Sequence, residues 1–236
     1  MSARVSDPPV NQSVERAARM LSLFSVDEPD LTLTELTTRM GFNKATAHRY
    51  ATALRHAGLL RTSNGVYTLG PRIVELAAAA LAGLGVIRVA EPYLRRLVTE
   101  TGQTTVLSVW DGEAPVVVRA AENTERLVRI VVAAGSRLPP DSAQGKVFRA
   151  FLGEPDDDLA AVRRDRMAAN AVVVEGVTAL AAPVFQGEEI VATLALVGTS
   201  AGIDTRPGSA MATALSEAAE AVSTELGFVD SKEERR

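Results

Sequence analysis

Over the first seventy residues, apolar positions recur three and four apart and are broken at short intervals by glycine, proline and asparagine. Val14, Ala17, Ala18, Leu21 and Phe24 fall on one face at helical spacing and predict a first helix. Ser13 is its expected N-cap, with Glu15 near the positive end, and Asp27-Glu-Pro-Asp30 ends it. Thr34 is the expected cap of a second, short helix carrying Leu36 and Met40. Gly41 follows, where a tight inter-helix turn needs φ > 0. Asn43 is the expected N-cap of a third helix, Lys44 to Ala57, which Gly58 terminates. From Leu59 to Leu69 the pattern becomes a hairpin around Asn64-Gly65, a dipeptide suited to a type I′ turn. Helix, helix-turn-helix and hairpin, closed by Gly70-Pro71, predict a winged helix-turn-helix domain over residues 1–70.

The next segment is an alanine-rich helix, Arg72 to Gly85, expected to act as a linker or dimer strut within residues 71–86. Val89 to Thr101 is amphipathic through Tyr93, Leu94, Leu97 and Val98. Three strands are predicted at Thr104–Trp110, Ala114–Ala120 and Leu127–Val132, the first two joined by Asp111-Gly112. A helix from Ser142 to Leu152 comes next, then a short one opened by the acidic run Glu154–Asp158. A hairpin follows, Thr178–Phe185 and Ile190–Val197, turning at Gln186-Gly187. A last helix spans Pro207 to Leu226. These elements give an α+β second domain over residues 87–229, with a frayed charged tail at 230–236.

Composition narrows the function. With 47% apolar residues in 236, a packed core is expected. There is no cysteine, which excludes disulfides, thiolate catalysis and cysteine-ligated zinc. Met1 to Val10 lacks an apolar signal-peptide core, and the uncharged stretch Leu76–Ile87 is too short to span a bilayer. A soluble, cytoplasmic protein with no membrane partner and no cofactor is expected. The net charge of −4 hides an asymmetry. No acidic residue occurs between Glu35 and Glu75, where Arg39, Lys44, Arg49, Arg55, Arg61 and Arg72 contribute +6. The rest of the chain therefore carries −10, and a basic island on an acidic protein is the footprint of a nucleic-acid site.

At about 100° per residue, Ala47, Tyr50, Ala51 and Leu54 of the third helix form its core face. The opposite side presents Ala45, Arg49, Thr52 and His56, flanked by Thr46 and His48. Arg49 is the candidate for a bidentate contact to guanine, and Ala45 and Thr46 can approach base edges closely. Lys44, Arg55 and the wing residue Arg61 are candidate phosphate contacts. Thr34 and Asn43 complete the candidate DNA-binding set.

The chain resembles the IclR family of bacterial regulators over nearly its whole length. The resemblance rests on Asn11-Gln-Ser-Val-Glu-Arg16, Leu31-Thr-Leu-Thr-Glu-Leu36, Gly41-Phe-Asn-Lys-Ala-Thr-Ala-His-Arg49 and Tyr67-Thr-Leu-Gly-Pro71. Further on it rests on Glu100-Thr-Gly-Gln103, Gly145-Lys146 and Glu175-Gly-Val-Thr-Ala-Leu-Ala-Ala-Pro-Val-Phe185. It implies a winged-helix domain, a linker helix and a GAF/PAS-like effector domain whose antiparallel sheet is flanked by helices. It also implies dimers, or dimers of dimers, on near-palindromic double-stranded operator DNA. By this resemblance the effector pocket involves Asp141 to Val147, with Ala179, Ala195 and Val197 at inward positions where relatives can carry small polar groups. That floor is apolar, so polar contacts are left to Ser108, Ser142, Gln144 and backbone amides near Gly145. The segment between Lys146 and Glu175 is shorter than in typical relatives. An effector with an apolar body, such as an aromatic acid, is expected rather than a tiny polar acid. Repression is the expected sign.

Two other classes compete. Gly198-Thr-Ser-Ala-Gly202 has the G-x-S-x-G spacing of a hydrolase nucleophile elbow, but both histidines, His48 and His56, are on the third helix. That spacing also leads into a loop holding Pro207 rather than a helix. Gly83-Leu-Gly85 lacks the third glycine of a dinucleotide site. Asp156-Asp-Asp158 is better explained as a helix-start charge cluster than as a metal site. A non-enzymatic regulator is the reading taken, against a hydrolase-like domain fused to a DNA-binding module or a ligand-independent architectural protein.

Overall fold

A computed structural model describes residues 11–124, 129–153, 156–170 and 174–227. The chain divides into two compact units, residues 1–80 and 81–236, and the division falls inside the expected linker.

In the first unit, helix α1 (Gln12–Leu21) is capped by Asn11, whose Oδ1 accepts from the Ser13 amide at 3.0 Å. Ser13 is therefore not the cap. The buried face runs through Ala17, Met20, Leu21 and Phe24, while Val14 (65% exposed) and Ala18 face solvent. Including Met20 in the stripe explains the correction, since Val14 and Ala18 then sit roughly 70° and 110° from the middle of Ala17, Met20, Leu21 and Phe24.

The two-residue strand β1 (Leu31–Thr32) leads into α2 (Leu33–Met40). Thr32, not Thr34, is the N-cap. Its Oγ1 accepts from the Glu35 amide at 3.3 Å, and the Glu35 carboxylate accepts from the Thr32 amide at 2.7 Å. These reciprocal bonds form a capping box, and the Thr32 amide together with the Thr32 hydroxyl, which also donates to the carboxylate at 2.8 Å, holds the Glu35 pKa below the usual carboxylate range. Thr32→Ala is expected to cost about 1 kcal/mol in denaturant unfolding followed by circular dichroism. A midpoint unchanged from wild type would show that the cap contributes nothing.

Gly41 takes φ 67° and turns the chain into α3 (Lys44–His56), capped by Asn43, whose Oδ1 accepts from the Thr46 amide at 2.8 Å. Strands β2 (Leu60–Ser63) and β3 (Val66–Leu69) form the wing around Asn64 (φ 50°) and Gly65 (φ 80°), as a type I′ turn requires. Strand β1 adds to β3, pairing Leu31 with Tyr67 and Thr32 with Val66. This third strand was not expected, because two residues are too few to show alternation. Met20, Leu36, Met40, Ala47, Ala51, Leu54, Leu60 and Tyr67 make the core. Helix α4 (Pro71–Gly83) follows, with none of its residues buried.

The second unit opens with α5 (Gly85–Thr101), which starts four residues earlier than expected, after a break at Leu84. The remaining elements are β4 (Thr104–Trp110), β5 (Pro115–Ala121), α6 (Ala143–Leu152), a 3-10 turn (Asp157–Leu159) capped by Asp156, α7 (Ala160–Asp165), β6 (Ala168–Asn170), β7 (Val177–Gln186), β8 (Glu189–Thr199) and α8 (Ala210–Glu225). They build one antiparallel sheet in the order β5-β4-β8-β7-β6. Alternation sorts its side chains. Leu107, Leu180, Leu194 and Leu196 pack with Leu94, Leu97, Leu215 and Val222 of α5 and α8. Val106, Ala181, Ala195 and Val197 pack with Ala143, Val147 and Phe148 of α6.

Four expectations change. The predicted strand Leu127–Val132 falls partly on 125–128, outside the described residues, and 129–132 form no strand. Downstream of it, Gly135, Ser136 and Leu138 hydrogen-bond the outer edge of β5 at Val117 and Pro115. Strand β6, too short for a pattern, was missed. Gln186 pairs with Glu189, so the last hairpin turns at Gly187-Glu188. Helix α8 starts after the cap Ser209, whose Oγ accepts from the Ala212 amide at 3.2 Å, three residues later than Pro207 suggested. Of the acidic run Glu154–Asp158, residues 154–155 lie outside the described residues.

Candidate nucleic-acid interface and effector site

Burial of Ala47, Ala51 and Leu54 fixes the rotation of α3. Lys44, Ala45, Arg49 and His56 are exposed, Thr46 and Thr52 half-buried. The Arg49 guanidinium lies 5.9 Å from the centre of the Tyr50 ring, a cation–π contact that orders the stem and leaves the donors free. Asn43 spends its carbonyl on the cap, and Thr34 is exposed in the first turn of α2. On the wing, Arg61 is exposed and donates from Nε to Thr68 Oγ1 at 2.8 Å, which fixes its direction. Arg55 is exposed on the last turn of α3. Arg39 belongs elsewhere: it forms a two-bond pair with Glu28 at 2.6 and 2.9 Å. One of the six basic charges in the acid-free window is thus neutralised locally, which a count along the sequence missed.

In the second unit, Ser142 caps α6 and accepts from the Gly145 amide at 3.1 Å. Gly145 is required there, since a Cβ would lie 2.3 Å from the Pro140 carbonyl oxygen. Val147, Ala195, Val197 and half-buried Ala179 join one apolar cluster beneath α6. Ser108 lies between Val106 and Trp110 of that face, so alternation turns it the same way. The sequence-predicted set thus converges between sheet and α6, and its side chains are buried there. Ser108, Val147 and Ala195 are 0% exposed, Gln144 2%, Ser142 6% and Val197 8%. A cleft of about 430 Å³ lies elsewhere, between α8 and β6, lined by Met167, Leu180, Pro207 and Glu217, and shares none of these residues. Sequence reasoning missed Thr193, in phase with Ala195 and Val197 along β8.

Ser200 of the G-x-S-x-G pattern sits in the turn after β8 and shares a hydrogen bond with Thr178 Oγ1 at 2.9 Å. No group of three or more His, Asp or Glu side chains among the described residues could hold a metal ion. Nor is any single helix among them long and apolar enough to cross a membrane.

Residues 13–63 match the IclR helix-turn-helix domain, and residues 78–172 match the bacterial transcriptional regulator IclR C-terminal domain. The chain belongs to the IclR family. The HTH-type transcriptional regulator XynR of Escherichia coli is 35% identical over 63% of this chain, an alignment spanning 60% of that relative's own length. The DNA-binding transcriptional repressor YiaJ, also of E. coli, is 27% identical over 97% of this chain and 92% of the relative. Among solved structures, an IclR-type regulator from Silicibacter sp. TM1040 superposes with a TM-score of 0.81 at 24% identity, covering 92% of this chain and 97% of that one. An IclR homologue from Microbacterium hydrocarbonoxydans, solved with 4-hydroxybenzoate, gives 0.69 at 24% identity, covering 91% and 98%. At those identities the structures speak for the fold.

Proposed function

We propose that this IclR-family chain is a sequence-specific transcriptional repressor, acting in the cytoplasm, whose operator affinity is set by a small aromatic acid. The observation that carries the DNA reading is the polarity of α3. Its alanine and leucine face is sealed in the core, which leaves Ala45, Arg49 and the neighbouring Thr46 and Thr52 toward a groove, with Lys44, Arg55 and Arg61 as phosphate contacts. The exposed Val74, Leu76 and Leu81 of α4 support a second copy as partner, hence a near-palindromic operator read by a dimer or a pair of dimers. The solved 4-hydroxybenzoate complex of a relative supports an aromatic acid, and the first turn of α6 offers its carboxylate the positive end of a ten-residue helix. A ligand preferring one dimer arrangement changes the separation of the two recognition helices and so the operator affinity.

The test is a mobility-shift titration on DNA upstream of the protein's own coding region, across a salt series. Three phosphate contacts per protomer predict a log–log slope of roughly −5 for a dimer. Binding that is absent, or equal on unrelated DNA, would sink the proposal.

A further inference from the structure

Ser108 and Thr193 stand directly opposite each other in the β4–β8 register, and both are 0% exposed. Neither hydroxyl has a hydrogen-bond partner. Native cores satisfy nearly all buried polar atoms, so two orphans side by side require a cause. Packing does not supply one. The same face of the sheet uses alanine at 181 and 195 and valine at 106 and 197, and Ala and Val would fill positions 108 and 193 with no orphaned oxygen. Alternation turns both hydroxyls toward α6. Thr193 lies between Ala192 and Leu194, which face the other way, and Ser108 lies between Leu107 and Val109, which also do. On the α6 side they join the face that holds Trp110, whose ring lies 5.4 Å from that of Phe148 on α6, centre to centre, at a tilt of 38°.

We infer that Ser108 and Thr193 are the specificity-determining pair of the effector site, and that they receive a ring hydroxyl of the ligand. This rests on the effector reading above. Each side-chain hydroxyl both donates and accepts. One can donate to a phenolic oxygen while the other accepts its proton, a pairing that an unsubstituted ring cannot satisfy. The aromatic pair supplies a stacking surface for the ring, and the start of α6 supplies the carboxylate site. The ligand class is therefore a hydroxylated aromatic acid. Ile130, Val132 and Leu138 pack on the cluster, and Thr104 Oγ1 donates to the Ile130 carbonyl at 2.5 Å. Entry of the ligand displaces part of that cover.

Trp110 is the only tryptophan in the chain, so its fluorescence reports this site. The full-length protein and the double variant Ser108→Ala/Thr193→Val are titrated with 4-hydroxybenzoate and with benzoate, and their thermal midpoints are compared. Wild type is expected to favour 4-hydroxybenzoate about tenfold or more. The variant is expected to bind both compounds alike, with a midpoint equal to or above wild type because two orphaned hydroxyls are gone. A variant that keeps the preference overturns the inference and leaves the effector reading standing, as does a wild type that binds both compounds equally. A clearly lowered midpoint in the variant assigns the hydroxyls to structure and also overturns it. A wild type that binds neither compound removes both the inference and the aromatic-acid reading.

Discussion

Arg49→Ala sharply reduces the discrimination between operator and unrelated DNA while leaving salt-sensitive binding in place. That is the expected result of a mobility-shift competition, and it follows from the orientation of α3. Arg49 lies on the face opposite buried Ala47, Ala51 and Leu54. A bidentate arginine–guanine contact is worth about 1–3 kcal/mol of discrimination, roughly five- to a hundredfold at each half-site. The phosphate contacts proposed for Lys44, Arg55 and Arg61 are untouched by the substitution, so background affinity and its salt slope are expected to change little. Arg49→Lys separates charge from geometry: it keeps the cation but loses the planar fork, and it is expected to behave like the alanine variant in specificity. If either variant discriminates as well as wild type, the recognition helix has been read in the wrong rotation.

Gly145→Ala should weaken the second unit more than any surface change. The added Cβ would meet the Pro140 carbonyl oxygen at 2.3 Å and the Pro139 carbonyl oxygen at 2.9 Å. Both obstacles are backbone and cannot rotate aside, so either the chain before Ser142 or the first turn of α6 must move. Forced overpacking of this kind costs about 1–3 kcal/mol. For a unit of this size that lowers its thermal midpoint by roughly 3–10 °C. The same displacement opens the α6 start and should weaken the fluorescence response to 4-hydroxybenzoate. A Gly145→Ala protein melting with wild type would mean that Pro139-Pro140 yields freely.

Caps and turns with distinctive residues were legible in the sequence. Asn43, Gly41 and Asn64-Gly65 each carry a side chain or a φ preference suited to one local geometry, and each stands where it was expected, whereas Ser142, the expected first residue of its helix, is the N-cap of α6. The α3 wheel was legible too, because three buried residues at the right spacing leave little freedom. Failures came where a local signal had a near-equal neighbour. Asn11 competed with Ser13, and Thr32 with Thr34, and tertiary pairing of β1 with the wing decided the second case. Short strands such as β1 and β6 have no period to detect. Long-range partners were invisible, so the Arg39–Glu28 pair and the Ser108–Thr193 register emerged only from the fold.

The hydrogen bonds from residues 135–138 to β5 limit how a second chain could add to this sheet. One margin of the sheet is occupied by its own connecting segment, and at the other β6 offers only three residues. An open margin of unpaired amides and carbonyls is a template on which a foreign strand can crystallise. Here that template is shut on one side and cut short on the other. Any self-association through this sheet is thereby steered toward side chains on helices and faces, where residue identity selects the partner, and away from generic main-chain ribbons that would let an assembly grow without limit.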